Sequence, residues 1–306
     1  MEEEAEEKTI WGLVTTIIII IFIIGLLISY WFIPFGKTQF KSQYGHTNFT
    51  LNNSDSMQFY PNMRFPYPNI SYKIYDCTLE KKNEMLRAFD LLANETLLKF
   101  YSTENNEEIS VSCDSQERIE GGLFIAGEGG PTEIAKINNL YLISHGNILL
   151  IRPSECSNPN IATHELLHVL GFTHSPNPEN IMYNTSNCNQ ELGDDIISLI
   201  DKLYSITSYP DLTIESASAD VHERYIDVNI SVRNNGLIPS KESKILIFAD
   251  NTLEKEINLE TIQAGFGRSI TLQNILTFKL KIDKIKFEIQ YDSDELNKEN
   301  NKITLD

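Results

Sequence analysis

Apolar and polar positions divide the chain into stretches of different period. Between Lys8 and Lys37 there is no charged residue, and Trp11 to Ile33 includes the unbroken run Ile17 to Ile21. About 24 residues of helix rise roughly 36 Å, which is enough to cross a hydrocarbon core with some tilt. Residues 9–35 are therefore expected to be a transmembrane anchor. A cleaved leader would carry a basic front and small residues at the cut. Here the front is Glu2, Glu3, Glu4, Glu6 and Glu7, and the far end is Ser29-Tyr30-Trp31-Phe32, an aromatic belt. Residues 1–8 read as a short acidic tail and residues 36–68, without sustained periodicity, as a stalk.

From Ile70 the pattern tightens. Ile70 to Tyr75 alternates as a strand, and Glu80 to Tyr101 repeats Met85, Phe89, Leu92, Leu97 and Phe100 at helical spacing. Ile109 to Ser112, Gly122 to Ala126 and Tyr141 to Arg152 read as further strands, the last broken by a hairpin turn at His145-Gly146-Asn147. Gly127-Glu128-Gly129-Gly130-Pro131 reads as a surface turn that could rim a cleft or offer oxygens to calcium. After Pro210 the runs are short and β-rich: Leu212 to Ile214, Ile226 to Val232, Lys244 to Phe248 and Lys284 to Ile289, separated by turn signals. The expected fold is α+β over residues 69–207, with a twisted mixed sheet and a long helix. An all-β immunoglobulin-like sandwich over residues 208–306 follows.

The formal charge is −18, from 25 basic and 43 acidic side chains, so no nucleic-acid partner is expected. A 41% hydrophobic fraction excludes a fully disordered chain. The positive-inside rule leaves orientation undecided, with Lys8 on one flank and Lys37 and Lys41 on the other. Four cysteines, together with Asn-x-Ser/Thr acceptor sites at Asn48, Asn52, Asn69, Asn94, Asn184 and Asn229, favour an exterior location. The chain is expected to be a single-pass protein of the cell membrane with its large part outside.

The chemistry concentrates in His164-Glu165-Leu166-Leu167-His168-Val169-Leu170-Gly171-Phe172-Thr173-His174. On a helix, positions i and i+4 share a face, so His164 and His168 can aim at one metal ion. Gly171 can take positive φ and swing the chain back so that His174 reaches the same ion. Three imidazoles leave an open fourth position, the arrangement of a catalytic zinc, with Glu165 placed to act on water.

These residues match the metzincin pattern H-E-x-x-H-x-x-G-x-x-H, and His174-Ser175 followed by Asn180-Ile181-Met182-Tyr183 resembles the matrixin branch of zinc peptidases. The resemblance implies a zinc endopeptidase acting on protein or peptide substrates at the cell surface or in an extracellular matrix. It implies Met182 as the Met-turn residue beneath the ligands, and a helix opening at Asp194-Asp195 as a structural element. Two departures matter. No cysteine lies between Lys37 and Ile70, so latency through a Pro-Arg-Cys-Gly plug is not expected. Only His145 stands where a second zinc would bind, and one His cannot make that site. Of the three pairings open to four cysteines, a Cys156–Cys188 bridge would clamp both ends of the metal site and leave Cys77 with Cys113. Pro210-Asp211-Leu212, Ser231 to Gly236 and Asn297 to Asn301 resemble CARDB modules, which implies a passive spacer or docking to a surface protein or glycan. The rival reading is an inactive surface adhesion protein that binds through this module.

Overall fold

The computed structural model describes residues 2–32, 38–43, 57–116, 118–120, 123–137, 140–154, 156–279 and 281–306. The sequons at Asn48 and Asn52 lie outside them. Helix α1 (Glu2–Phe32) is 31 residues long, and its described side chains from Val14 to Leu27 are all exposed. Among the described residues no helix is long and apolar enough to cross a membrane. The described side chains of α1 stop short of the roughly 20 that a span requires. The expected span is thus not shown.

The stalk is not a free linker throughout. β1 (Thr38–Gln43) pairs antiparallel with the first strand of the C-terminal sandwich, with Thr38 opposite Val221 and Gln43 opposite Ser216. Residues 57–68 serve the other domain: Met63, Arg64 and Phe65 are fully buried there, and β2 (Met63–Arg64) joins its sheet.

That sheet is built by β2, β3 (Asn69–Ile74), β4 (Lys99–Ser102), β5 (Ile109–Cys113), β8 (Gly127–Ile137) and β9 (Leu140–Leu150). The pairings β4-β3-β5-β9 and β2-β9 are parallel, and β8 runs antiparallel along β9. Helix α2 (Leu79–Glu95) makes the crossover from β3 to β4, starting where the Thr78 hydroxyl accepts the Lys81 N–H. It stops earlier than its apolar period suggests. Thr96 is extended, its hydroxyl donates to Leu92 O at 2.7 Å, and Phe100 falls in β4. Met85, Ala88, Phe89 and Leu92 bury one helix face against the sheet, with the Phe89 ring 4.2 Å from that of Tyr72.

Two local expectations are corrected. β9 runs unbroken through His145-Gly146-Asn147, and His145 is a strand residue whose Nδ1 lies 3.1 Å from Glu107 O. Gly146 is there for closeness: a Cβ would come within 2.5 Å of Val169 on the next helix. Gly127 to Pro131 are the start of β8 and not a loop, with Gly129 opposite Ile148. The small hairpin of β6 (Arg118–Glu120) and β7 (Leu123–Ile125) pairs only with itself.

Helix α3 (Asn160–Val169) and helix α4 (Asp194–Tyr204) complete this domain. α4 carries Asp194 and Asp195 in its first turn, where the positive end of the helix dipole favours acids, and buries Ile196, Leu199, Ile200 and Leu203. Disulfides join Cys77 to Cys113 and Cys156 to Cys188.

The C-terminal domain is a sandwich of two antiparallel sheets. One is ordered β1, β10 (Leu212–His222), β11 (Tyr225–Asn234), β14 (Gly267–Leu276). The other is β13 (Thr252–Leu259), β12 (Ser243–Ala249), β15 (Ile285–Gln290), β16 (Lys302–Leu305). Inward positions such as Ile214, Val228, Ile230, Ile245, Ile247 and Phe287 form its own core. A separate apolar cluster, Ile137, Leu140 and Leu142 with Leu237, joins the two domains.

Candidate metal centre

α3 is buried on nearly every side, which holds His164 and His168 to one orientation. It ends as expected: Gly171 has φ of 96°, and Phe172 N–H donates to Leu167 O at 3.0 Å. The chain then turns so that His174 meets the two helical histidines. His168 Nε2 lies 3.0 Å from His164 Nε2 and 3.2 Å from His174 Nε2. Among the described residues this is the group of three or more His, Cys, Asp or Glu side chains placed to hold a metal ion. Glu128, considered for calcium, instead ion-pairs Arg118 at 3.1 Å.

The remaining ring nitrogens settle what the centre accommodates. His164 Nδ1 lies 2.7 Å from Ile181 O, and His168 Nδ1 lies 2.8 Å from Phe172 O. A carbonyl accepts only, so each Nδ1 carries the proton and each Nε2 presents a lone pair. Two lone pairs facing across 3.0 Å repel unless a cation sits between them. Burial, opposed by the bond to Phe172 O and aided by the neighbouring rings, depresses the His168 pKa to about 4. Burial lowers His164 as well. Neutral imidazoles with outer carbonyl partners suit a divalent zinc.

Met182 is buried, its N–H donating to Asn180 Oδ1 at 2.8 Å and its carbonyl accepting from Ser175 N–H at 2.8 Å. That pairing fixes the turn that presents Ile181 O to His164. Glu165 lines the same cleft as the three histidines, with its side chain against β8 at Gly127. Burial first, and the Glu128 charge second, push its pKa up to about 8. A cation held by the imidazoles would pull it back toward the ionised form. The cleft over the centre encloses about 870 Å³ and reaches from Phe124 and Gly127 to Tyr183 and Asn187.

Three contributors escape a reading of the residues alone. Phe59 lays its ring 5.8 Å from that of His168, from a segment whose Phe59 N–H donates to Gly171 O. Its signal would have been the aromatic cluster Phe59-Tyr60 in the supposed stalk. Glu84 accepts the Ser154 N–H at 3.0 Å and reaches the start of α3 at Ala162. An acid on the apolar stripe of α2 was its visible mark. Gly127 and Gly129 let β8 close on α3.

A mixed sheet backed by two helices, three converging imidazoles, an adjacent carboxyl and a buried methionine turn define a metallopeptidase domain. Direct comparison points the same way: residues 65–205 match the matrixin family model. Residues 209–305 match the CARDB model. No curated protein matches the chain.

Proposed function

We propose that this protein is a membrane-anchored zinc endopeptidase of the cell exterior, with His164, His168 and His174 as ligands and Glu165 as general base. The observation that carries the reading is the convergence of three imidazole Nε2 atoms in the cleft that a buried carboxyl also lines. Zinc held there supplies a Lewis acid that polarises the scissile carbonyl and acidifies water. Glu165 takes the proton from the attacking water and delivers it to the leaving nitrogen. Peptide substrate lies extended along β8, because β8, not β9, is the free edge beside the centre. Main-chain groups near Gly127 to Gly129 exchange hydrogen bonds with it. The uncharged stretch from Thr9 to Phe35 anchors the chain, and both disulfides agree with an oxidising exterior.

The test compares the full chain with Glu165→Gln on an unfolded protein substrate, with and without a chelator. The parent is expected to cleave only with metal. The variant is expected to keep about one zinc per chain and to lose activity by a factor of about 10² or more. Unchanged cleavage by the variant rejects Glu165 as base. Absence of cleavage in the zinc-loaded parent leaves the adhesion reading through the CARDB domain.

A further inference from the structure

The two ends of the C-terminal sandwich differ in what they face. One end meets the peptidase domain: Leu237 joins Ile137, Leu140 and Leu142, and a Cβ on Gly265 would stand 3.1 Å from Ile137. β11 runs from the opposite end, at Tyr225, to this junction, at Asn234, a rise of about 30 Å. Hydrogen bonds identify what gathers at that opposite end. Thr277 N–H donates to Arg224 O at 2.9 Å, its hydroxyl donates to Glu254 at 3.0 Å, and Lys279 ion-pairs Asp250 at 3.7 Å. The β10–β11 turn, the β12–β13 turn and the segment after β14 therefore share one tip.

This tip exposes large apolar side chains. Phe278 is 79% exposed and Leu276 42% exposed. The segment after β14 carries Lys279, Lys281 and Lys284 against Asp283, and the neighbouring turns add Arg224 against Glu223, Asp250 and Glu254, so the tip is close to neutral in a chain of −18. The Lys281 side chain is 82% exposed and ion-pairs Asp283 at 2.7 Å. Aromatic and aliphatic side chains beside lysines make a surface that enters the headgroup region while its ammonium groups reach anionic phosphates.

The position of the anchor selects the bilayer as occupant. β1 enters the sandwich at this same tip, with Thr38 opposite Val221, next to the β10–β11 turn. Only six backbone steps separate Phe32, the end of α1, from Thr38, a reach of at most about 22 Å. We propose that Leu276 and Phe278, with Lys281 at their border, seat the sandwich tip on the surface of the membrane that holds α1. The CARDB domain is then a pedestal, and it carries the peptidase cleft at a set height above the lipid. This rests on the anchor reading of α1.

Both disulfides occupy all four cysteines, so an added cysteine is labelled selectively. The full chain carrying Leu276→Cys with an environment-sensitive fluorophore is reconstituted in phosphatidylcholine vesicles with about 30% phosphatidylserine. A headgroup nitroxide lipid is expected to quench it at least about twofold and vesicle binding to blue-shift it. A label at Glu104→Cys, a fully solvated site of the peptidase domain, is expected to stay unquenched. Phe278→Asp and, separately, Lys281→Glu are expected to reduce quenching at position 276 while the protein still floats with vesicles. Flotation with no quenching at position 276 overturns the pedestal and leaves the anchor standing. Failure to float overturns both.

Discussion

Gly129 lies directly against the backbone of Glu165: a Cβ at Gly129 would stand 2.2 Å from Glu165 O and 2.9 Å from its Cα. No side-chain movement relieves such a contact, because both partners are main chain. β8, the edge along which substrate is proposed to lie, is therefore set by the helix that carries the base and two ligands. Gly127 repeats the closeness one residue pair earlier, where a Cβ would meet the Glu165 side chain at 2.8 Å.

Gly129→Ala is expected to force β8 and α3 apart, at a cost of about 1–3 kcal/mol. Its Tm should fall by several degrees, and kcat/KM by about tenfold or more. Gly130→Ala is the internal control, since a Cβ at Gly130 meets nothing within 4 Å. Thermal scans and peptide hydrolysis on both variants check it, and equal losses in the two would remove the argument from contact.

The Cys156–Cys188 bridge spans 32 residues that include the whole of α3, His174 and Met182. Closing a loop of that length restricts the unfolded chain by roughly 3–4 kcal/mol on the chain-entropy account. Cys156→Ser with Cys188→Ser should lower stability by about that amount in urea titrations. It should also weaken zinc retention, because both ends of the ligand-bearing segment are released. Loss of Cys77–Cys113, which lies away from the ligands, should cost stability and spare zinc content.

The acid–base groups of the centre give the metal-free protein a pH signature. Glu165, raised to about 8 by burial, favours folding in its neutral form. Its contribution is complete below its ordinary value near 4.5 and is lost as pH rises toward 8. His168, depressed to about 4, acts oppositely: its contribution is complete above about 6.5 and is lost as pH falls toward 4. Between pH 4.5 and 6.5 the two oppose, so the test belongs above 6.5. The chelated protein should lose Tm from pH 6.5 to 8, and Glu165→Gln should flatten that slope. Zinc should flatten it as well, by favouring the carboxylate.

The convergence of the three histidines, the cysteine pairing and the β-sandwich were legible in the sequence. His164 and His168 sit on one helix, Gly171 and His174 in the turn just after its cap, and inward residues of β11 and β12 alternate strictly. What was misread depends on contacts between segments far apart in the chain. Gly146 and Gly129 carry turn chemistry in isolation, and only the proximity of α3 explains them as strand residues. Likewise Thr38 to Gln43 has no pattern of its own, and its strand exists because β10 offers an edge. Met57 to Phe65 reads as polar linker until Phe172 and Gly171 supply its partners.

Arg64 is the most consequential of those hidden residues. It is 1% exposed and has no carboxylate partner among the described residues; its guanidinium donates to Pro66 O at 2.9 Å, Ile206 O at 3.2 Å, Ser208 Oγ at 3.0 Å and Leu203 O. Its plane lies 4.3 Å from the Tyr204 ring, and burial lowers its pKa without discharging it. The carbonyls it gathers close the C-terminal end of α4, where the helix dipole favours a cation. Since Ser208 begins the passage into the CARDB domain, one side chain ties the former stalk, the last helix and the domain junction together. Arg64→Lys keeps the charge and loses the fork of donors, leaving buried carbonyls unpaired. It should destabilise the peptidase domain by about 2–4 kcal/mol in denaturant titration, and Arg64→Met by at least as much. A lysine variant as stable as the parent would mean that charge at the helix end, and not the fork, is what this position requires.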